Sequence, residues 1–127
     1  LSADDPRCPE NQAPYQKFKD EVQLPLTECL KATVARVAPY FEDVIRPEIA
    51  KGEKILIAAH GNSIRALRKH LEGISNEEIA GMNVPTGVPL VYHLNEDFTV
   101  HDVSYLGDQD AIAAKINAVK NQSKGSK

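Results

Sequence analysis

The chain has 127 residues, of which 42% are apolar and 26% are charged, and its formal net charge is -3. This balance is typical of a globular protein and excludes a disordered chain. Basic and acidic residues are interspersed, which argues against a nucleic-acid surface, and no apolar run approaches the roughly 20 residues that a membrane helix requires.

Residues 1–23 are rich in proline and charged side chains and hold few large apolar ones. They begin without an initiating Met and carry no signal-peptide pattern. We therefore expect residues 1–23 to be a loop or lid, and we expect further sequence to precede them. Cys8 and Cys29 have no context that favours a disulfide, so both are predicted to be free thiols in a reducing cytoplasm.

The first long helical pattern begins after Leu24. Thr27 is the predicted N-cap, and Lys51-Gly52 is the predicted end. Because proline disrupts helix interiors, Pro39 and Pro47 predict a kink or break at each position. Apolar residues recur at spacings of three and four along this segment: Leu30, Val34, Val37, Phe41, Val44 and Ile45.

A continuous apolar run follows at Ile55–Ala59. With no polar face, it predicts a central strand buried on both sides, as in a parallel sheet. An amphipathic helix is predicted from the next residues to Gly73. Ser75 and Glu78 then have the spacing of a capping box for a further short helix.

The remaining sequence predicts a constrained loop over 83–89 and a β-hairpin with strands over 90–94 and 98–103. Asp108 is the predicted start of a last helix, and residues 121–127 are expected to be a mobile tail. Helices alternating with strands predict an α/β fold. Since three strands cannot cover a central strand on both sides, we expect the sheet to be incomplete in this chain.

His60, Gly61 and Asn62 follow the apolar run directly and open a helix. Ligands of open α/β sheets bind at the carboxyl ends of the strands. Gly61 lets backbone approach a ligand, the helix start offers free N–H groups to an anion, and His60 adds a hydrogen-bond donor. These features favour a phosphoryl site. A single histidine at a strand end is nevertheless often structural, and Asn62 or Ser63 could simply cap the helix.

The other histidines indicate less. His70 is expected on a solvated helix face together with Arg65, Arg68 and Lys69. His93 and His101 are expected to face water in the hairpin. No His, Cys or Asp pair has the spacing of a metal site, so no metal is expected.

Four segments, in order and at their spacing, give the sequence a family resemblance: LPLTECL, EKILIAAHGNSIRAL, KHLEGIS and NVPTGVPLVYHL. They resemble the carboxy-terminal half of cofactor-dependent phosphoglycerate mutases within the histidine phosphatase superfamily. The resemblance implies that residues 1–127 are the carboxy-terminal part of one domain. It also implies a three-layer α/β sandwich with a mostly parallel sheet.

The resemblance further implies a cytoplasmic, glycolytic isomerase that interconverts 3-phosphoglycerate and 2-phosphoglycerate through a phosphohistidine, primed by 2,3-bisphosphoglycerate. His60 matches the family's second active-site histidine, and Gly61 and Asn62 match ligand-binding residues. The family's nucleophile lies in an Arg-His-Gly motif, which this sequence lacks. The chain alone is therefore expected to be inactive and to require an amino-terminal half.

Two alternatives stay open. The chain could belong to a bisphosphoglycerate mutase or phosphatase of the same superfamily, or it could be a non-catalytic assembly module. Phosphoglycerates, the amino-terminal half and further copies of the protein are the expected partners, without nucleic acid or membrane.

Overall fold

The computed structural model of the chain describes residues 2, 4–18, 21, 24 and 26–122. Near the amino terminus, a 3₁₀ turn at Pro9–Asn11 leads into a one-turn helix, α1 (Ala13–Gln16). Cys8 is buried and Cys29 is exposed, and both thiols are free, as predicted. Residues 1–23 thus contain short helical turns where they are described, and their role as a lid stays a prediction.

The first long helical segment is divided into three parts. Helix α2 spans Leu30–Tyr40, a π turn spans Phe41–Ile45, and helix α3 spans Arg46–Ala50. Pro39 stays inside α2, whereas Pro47 lies in the first turn of α3, where its missing N–H needs no partner. The predicted break at Pro39 is wrong, because α2 continues through that residue. The change of helix type before Pro47 agrees with the interruption predicted there and takes the form of the π turn.

The predicted cap at Thr27 is wrong. The N-cap of α2 is Cys29, whose side chain makes no capping bond and whose carbonyl accepts from the Thr33 N–H at 3.0 Å. Thr27 lies too far ahead of the first helical residue to reach its free N–H groups. Glu28 extends along the helix instead and forms an ion pair with Arg36 at 2.5 Å.

The predicted strand at Ile55–Ala59 is not formed in this chain. Within the described residues, no other segment pairs with it. Ile55, Leu56 and Ile57 are 43%, 93% and 40% exposed, the reverse of a buried strand. A strand needs a neighbour to accept its backbone hydrogen bonds, so an apolar run of the right composition stays irregular without one.

Helix α4 (Gly61–Glu72) ends at Gly73, as predicted, because Gly73 takes the left-handed conformation (φ 65°) that terminates helices. Helix α5 (Asn76–Gly81) follows at once. Its capping box is confirmed: the Glu78 N–H donates to Ser75 Oγ, and the Ser75 N–H donates to Glu78 Oε2, each at 3.1 Å.

Helix α2 packs against α4, and each helix contributes a small buried residue, Thr33 and Ala66. The π turn adds Phe41, which is 3% exposed and meets the His70 ring edge-on at 5.9 Å. His70 Nε2 also lies 2.7 Å from Glu42 Oε1. His70 is exposed, as predicted, and the π turn contacts one side of its ring.

The β-hairpin is confirmed, with antiparallel strands β1 (Leu90–Leu94) and β2 (Val100–Tyr105). The second strand starts two residues later than predicted. Phe98 lies in the turn with φ 69°, a strained value for a residue with a side chain. The guanidinium of Arg46 lies 4.5 Å from the centre of the Phe98 ring, a cation–π contact that helps to hold this conformation.

Helix α6 spans Gln109–Gln122, and Asp108 caps it by accepting the Ala111 N–H at 2.8 Å. Ile112 on this helix is buried, with 5% exposure. The start at Asp108 is as predicted. The tail predicted over 121–127 is wrong for its first two residues, which are helical, and residues 123–127 lie outside the described residues.

The α/β class is confirmed. The sheet within the described residues is the two-stranded hairpin, which is antiparallel, so the parallel arrangement stays a prediction. No helix in that same part of the chain is long and apolar enough to cross a membrane.

Candidate functional site

His60 is the last residue before α4 and acts as its N-cap. Its backbone is extended (φ -67°, ψ 148°), and its Nδ1 accepts the Asn62 N–H at 3.2 Å. An acceptor nitrogen carries no proton, so the proton of the neutral ring lies on Nε2. The capping bond therefore leaves His60 with one free hydrogen-bond donor on an exposed ring.

The amino end of α4 is suited to an anion. The first N–H groups of a helix lack partners within it, and the aligned peptide dipoles give this end partial positive charge. His60 occupies only the Asn62 N–H, which leaves those of Gly61 and Ser63. The first turn contains no acidic side chain that would oppose a negative ligand.

Gly61 keeps the space in front of the helix open. A Cβ placed on Gly61 would meet no protein atom within 4 Å. The absence of a side chain therefore exposes the backbone on that side to whatever binds there. The use of Gly61 for close approach of a ligand stays a prediction.

Asn62 is the second residue of α4 and is exposed, and Arg65 restrains its side chain. Arg65 Nη1 donates to Asn62 Oδ1 at 3.3 Å, and Arg65 Nη2 donates to the carbonyl of Ile79 at 2.8 Å. Asn62 could therefore orient a ligand, while Arg65 is partly buried and faces protein atoms.

A groove of about 370 Å³ runs beside the amino end of α4, between α2 and residues 57–59. Its walls are mainly apolar, with Arg36 and Ser63 as polar members. The residues that line it are Arg36, Val37, Tyr40, Ile45, Ile57, Ala58, Ala59, Ser63, Ile64 and Leu67. The groove therefore connects the exposed apolar run with the helix that carries His60.

The far end of α4 is fixed to the hairpin by a polar cluster of Arg68, Glu72, Tyr92 and Tyr105. Arg68 Nε donates to Glu72 Oε1 at 2.8 Å, and the Arg68 and Glu72 side chains are only 13% and 18% exposed. The Tyr92 hydroxyl donates to the same carboxylate, and Arg68 Nη1 lies 3.3 Å from the Tyr105 hydroxyl. Because these contacts hold Arg68, its expected place on a solvated face is wrong.

Burial and hydrogen bonding oppose each other at Glu72. Burial raises the pKa of its carboxyl, but the hydrogen bonds from Arg68 and Tyr92 outweigh burial and leave the pKa below its usual value. Burial raises the pKa of Tyr92, and the hydrogen bond to Glu72 raises it further. Glu72 is thus ionised and Tyr92 neutral at pH 7, which suits a clamp rather than proton transfer.

The hairpin histidines lie in solvent, as predicted. His93 Nδ1 is 3.5 Å from Asp102 Oδ2 in an exposed pair, and His101 is exposed. Lys69, by contrast, donates to the carbonyl of Ile74 at 2.5 Å and is not a free surface charge. Within the described ranges, no three His, Cys, Asp or Glu side chains converge as a metal site would require.

The sequence therefore indicated the three residues that meet at the start of α4, namely His60, Gly61 and Asn62. It did not indicate Arg65, which was expected to lie on a solvated helix face. The available signal was its spacing of three from Asn62, which places both side chains on one face of the helix.

Two comparisons with known proteins bear on this site. The sequence model of the histidine phosphatase superfamily (branch 1) matches residues 2–102. A 2,3-bisphosphoglycerate-dependent phosphoglycerate mutase of Treponema denticola is 53% identical over 124 residues. That match covers 98% of this chain and 50% of the relative, so the chain spans about half the relative's length.

Proposed function

The chain belongs to the histidine phosphatase superfamily, branch 1, and on that basis we propose that it is the carboxy-terminal half of a 2,3-bisphosphoglycerate-dependent phosphoglycerate mutase. The whole protein would interconvert 3-phosphoglycerate and 2-phosphoglycerate. The identity of 53% across nearly the entire chain is the observation that carries the proposal.

In this proposal His60 stabilises the phosphoryl group during its transfer. Its free Nε2–H donor faces no competing acidic side chain in the first turn of α4. Charge develops on the phosphoryl oxygens in the transition state, and a fixed donor stabilises that charge without having to reorganise. His60 thus assists the transfer, and the nucleophilic histidine belongs to the other half.

Gly61 and Asn62 bind the substrate in the same proposal. The N–H groups at the start of α4 and the Asn62 side chain provide donors for carboxylate and phosphate oxygens. The same donor set fits 2,3-bisphosphoglycerate, which would supply the priming phosphoryl group. None of the three residues offers a negative charge to such a ligand.

The exposed apolar run supports the need for a second half. Leu56 is 93% exposed and Ile55 and Ile57 about half as much, in a segment that has β-branched composition but no paired strand. Strands of the amino-terminal half would bury this run and complete a parallel sheet. The proposal includes assembly into a homo-oligomer and a cytoplasmic location, as expected for a glycolytic enzyme.

The test is to express this chain together with its amino-terminal half and to measure 3-phosphoglycerate turnover. His60→Ala should lower kcat about a hundredfold or more, the effect of removing one donor from a developing oxyanion. His101→Ala is the matched control, since His101 is an exposed hairpin histidine, and it should keep full activity. Mutase activity from this chain alone, or a fully active His60→Ala variant, would contradict the proposal.

The same preparation separates the mutase from its relatives. A mutase should convert 3-phosphoglycerate faster than it hydrolyses 2,3-bisphosphoglycerate, and a bisphosphatase should show the opposite order. An assembly module should show neither reaction.

A further inference from the structure

Arg65 connects the candidate site to a second element of the fold. It lies one helical turn after Asn62, so the two side chains share a face of α4. Its Nη2 donates to the carbonyls of Ile79 and Ala80, at 2.8 and 3.4 Å, while its Nη1 donates to Asn62 Oδ1 at 3.3 Å.

The carbonyls at the end of α5 fix the guanidinium in place. The last carbonyls of a helix lack the usual donor four residues later, so they can accept from a cation that reaches them. The Ile79 carbonyl accepts from Arg65 in addition to the Met82 N–H at 3.3 Å. Ile79 is itself buried, with 2% exposure. Because the guanidinium is planar, fixing Nη2 at these carbonyls also fixes the direction of Nη1.

The position of the guanidinium has a local cost. Arg65 Nε is buried and has no hydrogen-bond partner within the described residues. A buried donor without a partner is destabilising. The side chain therefore satisfies the carbonyls and Asn62 at the expense of Nε, which indicates that the contacts of the two terminal nitrogens determine its orientation.

This arrangement decides which way the Asn62 amide points. A guanidinium only donates hydrogen bonds, so the amide atom that faces Arg65 is the oxygen. The two N–H bonds of Asn62 Nδ2 are then directed away from Arg65, on an exposed side chain. Asn62, like His60 Nε2, consequently presents donors alone at the start of α4.

We infer that Arg65 is a positioning residue that holds the Asn62 amide with its Nδ2 donors toward an anionic substrate and ties this orientation to the carboxyl end of α5. The inference rests on the proposed function for the identity of the substrate, a phosphoglycerate. Arg65 itself does not touch the substrate.

The test measures KM and kcat for 3-phosphoglycerate in the two-half enzyme. Arg65→Ala should raise KM about tenfold, as expected when one oriented hydrogen bond is lost, with a smaller change in kcat. Guanidinium ion at a non-denaturing concentration should lower KM again. Arg65→Lys should remain impaired, because an ammonium cannot hold Asn62 in the plane of the α5 contacts. Lys51→Ala, which removes a cation that is 65% exposed and pairs with Glu48 in α3, is the control and should behave as wild type.

A double-mutant cycle separates positioning from general stability. Arg65→Ala should add nothing to the KM of an Asn62→Ala variant, because its effect passes through Asn62. An unchanged KM in Arg65→Ala, or equal effects in both backgrounds, would overturn the inference while leaving the mutase proposal intact.

A binding measurement covers the case in which the two-half enzyme has no activity. The side-chain NMR signals of Asn62 in the same complex should shift on addition of inorganic phosphate and should stop responding in Arg65→Ala. No response in the wild type, or an undiminished response in the variant, would overturn the inference, whatever the reaction.

Discussion

His60 has two separable tasks at the start of α4. Its Nδ1 caps the helix through the Asn62 N–H, and its Nε2 is the group proposed to act on a phosphoryl oxygen. The first task needs only an acceptor near the backbone, which several short polar side chains provide. The second needs a hydrogen-bond donor farther from the backbone than those side chains extend, and the imidazole Nε2 provides it.

Two substitutions at His60 should separate these tasks. His60→Ala should lower the free energy of unfolding by about 1 kcal/mol, because the cap is lost, whereas His60→Asn should retain most of it. Both should lower kcat about a hundredfold in the two-half enzyme. Urea unfolding and turnover of 3-phosphoglycerate measure the two effects.

Ser75→Ala is the matched control for capping. Ser75 caps α5 in the same way, so its loss should destabilise by a similar amount and leave kcat unchanged. Near-normal activity in His60→Asn would contradict the assigned role of His60.

The candidate site was largely predictable at this scale, and Arg65 shows where prediction failed. His60, Gly61 and Asn62 are adjacent in sequence, so a local pattern suffices to identify them. The partner of Arg65, the carbonyl of Ile79, lies 14 residues away, and the contact exists only because the chain reverses after Gly73. A helical pattern in the sequence predicts on which face of the helix a side chain lies, but not which other element packs against that face.

At the scale of elements, α4 is fixed at both ends. Arg65 ties its first half to α5, and the cluster of Arg68, Glu72, Tyr92 and Tyr105 ties its last turn to both hairpin strands. The orientation of the helix that carries His60 therefore depends on contacts that lie from about one to about three helical turns away from it.

Removing the Glu72 charge should destabilise the fold. Glu72→Gln should lower the free energy of unfolding by about 2 kcal/mol, because it leaves the partly buried Arg68 without its charged partner. Tyr92→Phe should lower it by about 1 kcal/mol through loss of one hydrogen bond. Arg36→Gln, which breaks an exposed ion pair, is the control and should change the urea midpoint little.

The effect of Glu72→Gln should depend on pH. Since the pKa of Glu72 in the folded state lies below its usual 4.5, its contribution is complete above that value and is lost as the pH falls through the lower pKa. The difference between wild type and variant should therefore narrow on acidification from pH 7 to about pH 3. A difference that stays constant over this range would contradict the ionised state assigned to Glu72.

Elements that depend on neighbouring residues formed as the sequence predicted, and those that depend on residues far away in the sequence did not. The capping box at Ser75 and the termination at Gly73 are local, and both formed as predicted. Ile55–Ala59 has the composition of a buried strand, but pairing is a property of two segments, and none of the described residues pairs with it. The Phe98 turn shifted a strand boundary because a backbone conformation, not a polarity pattern, set it.

For the whole molecule, the exposed apolar run is the surface most prone to association. Leu56 exposes 93% of its surface, and the neighbouring groove of about 370 Å³ is lined mainly by apolar residues. Apolar surface of this kind, beside unpaired backbone, promotes association. We therefore expect the chain alone to self-associate.

Leu56→Lys should shift the isolated chain toward monomer in concentration-dependent light scattering, because it places a charge where the apolar surface is exposed. The helical circular dichroism should not change, since Leu56 is almost fully solvated. The variant should also assemble poorly with the amino-terminal half.

Leu106→Lys provides a matched change at a leucine that is 55% exposed beside the hairpin. It should leave self-association as in the wild type. A monomeric wild-type chain, or equal effects of the two lysine variants, would contradict the assignment of the association surface to residues 55–57.

The π turn at Phe41–Ile45 has a consequence for how this lineage can change. A π turn holds one residue more than an α-helical turn, and here it lies directly before Pro47. Deleting one residue would convert it to α-helix and bring Pro47 into a helix interior, where its ring meets the carbonyl four residues earlier. The extra residue and the proline should therefore be gained or lost together, so that homologues with a one-residue gap at this turn carry a different residue in place of Pro47.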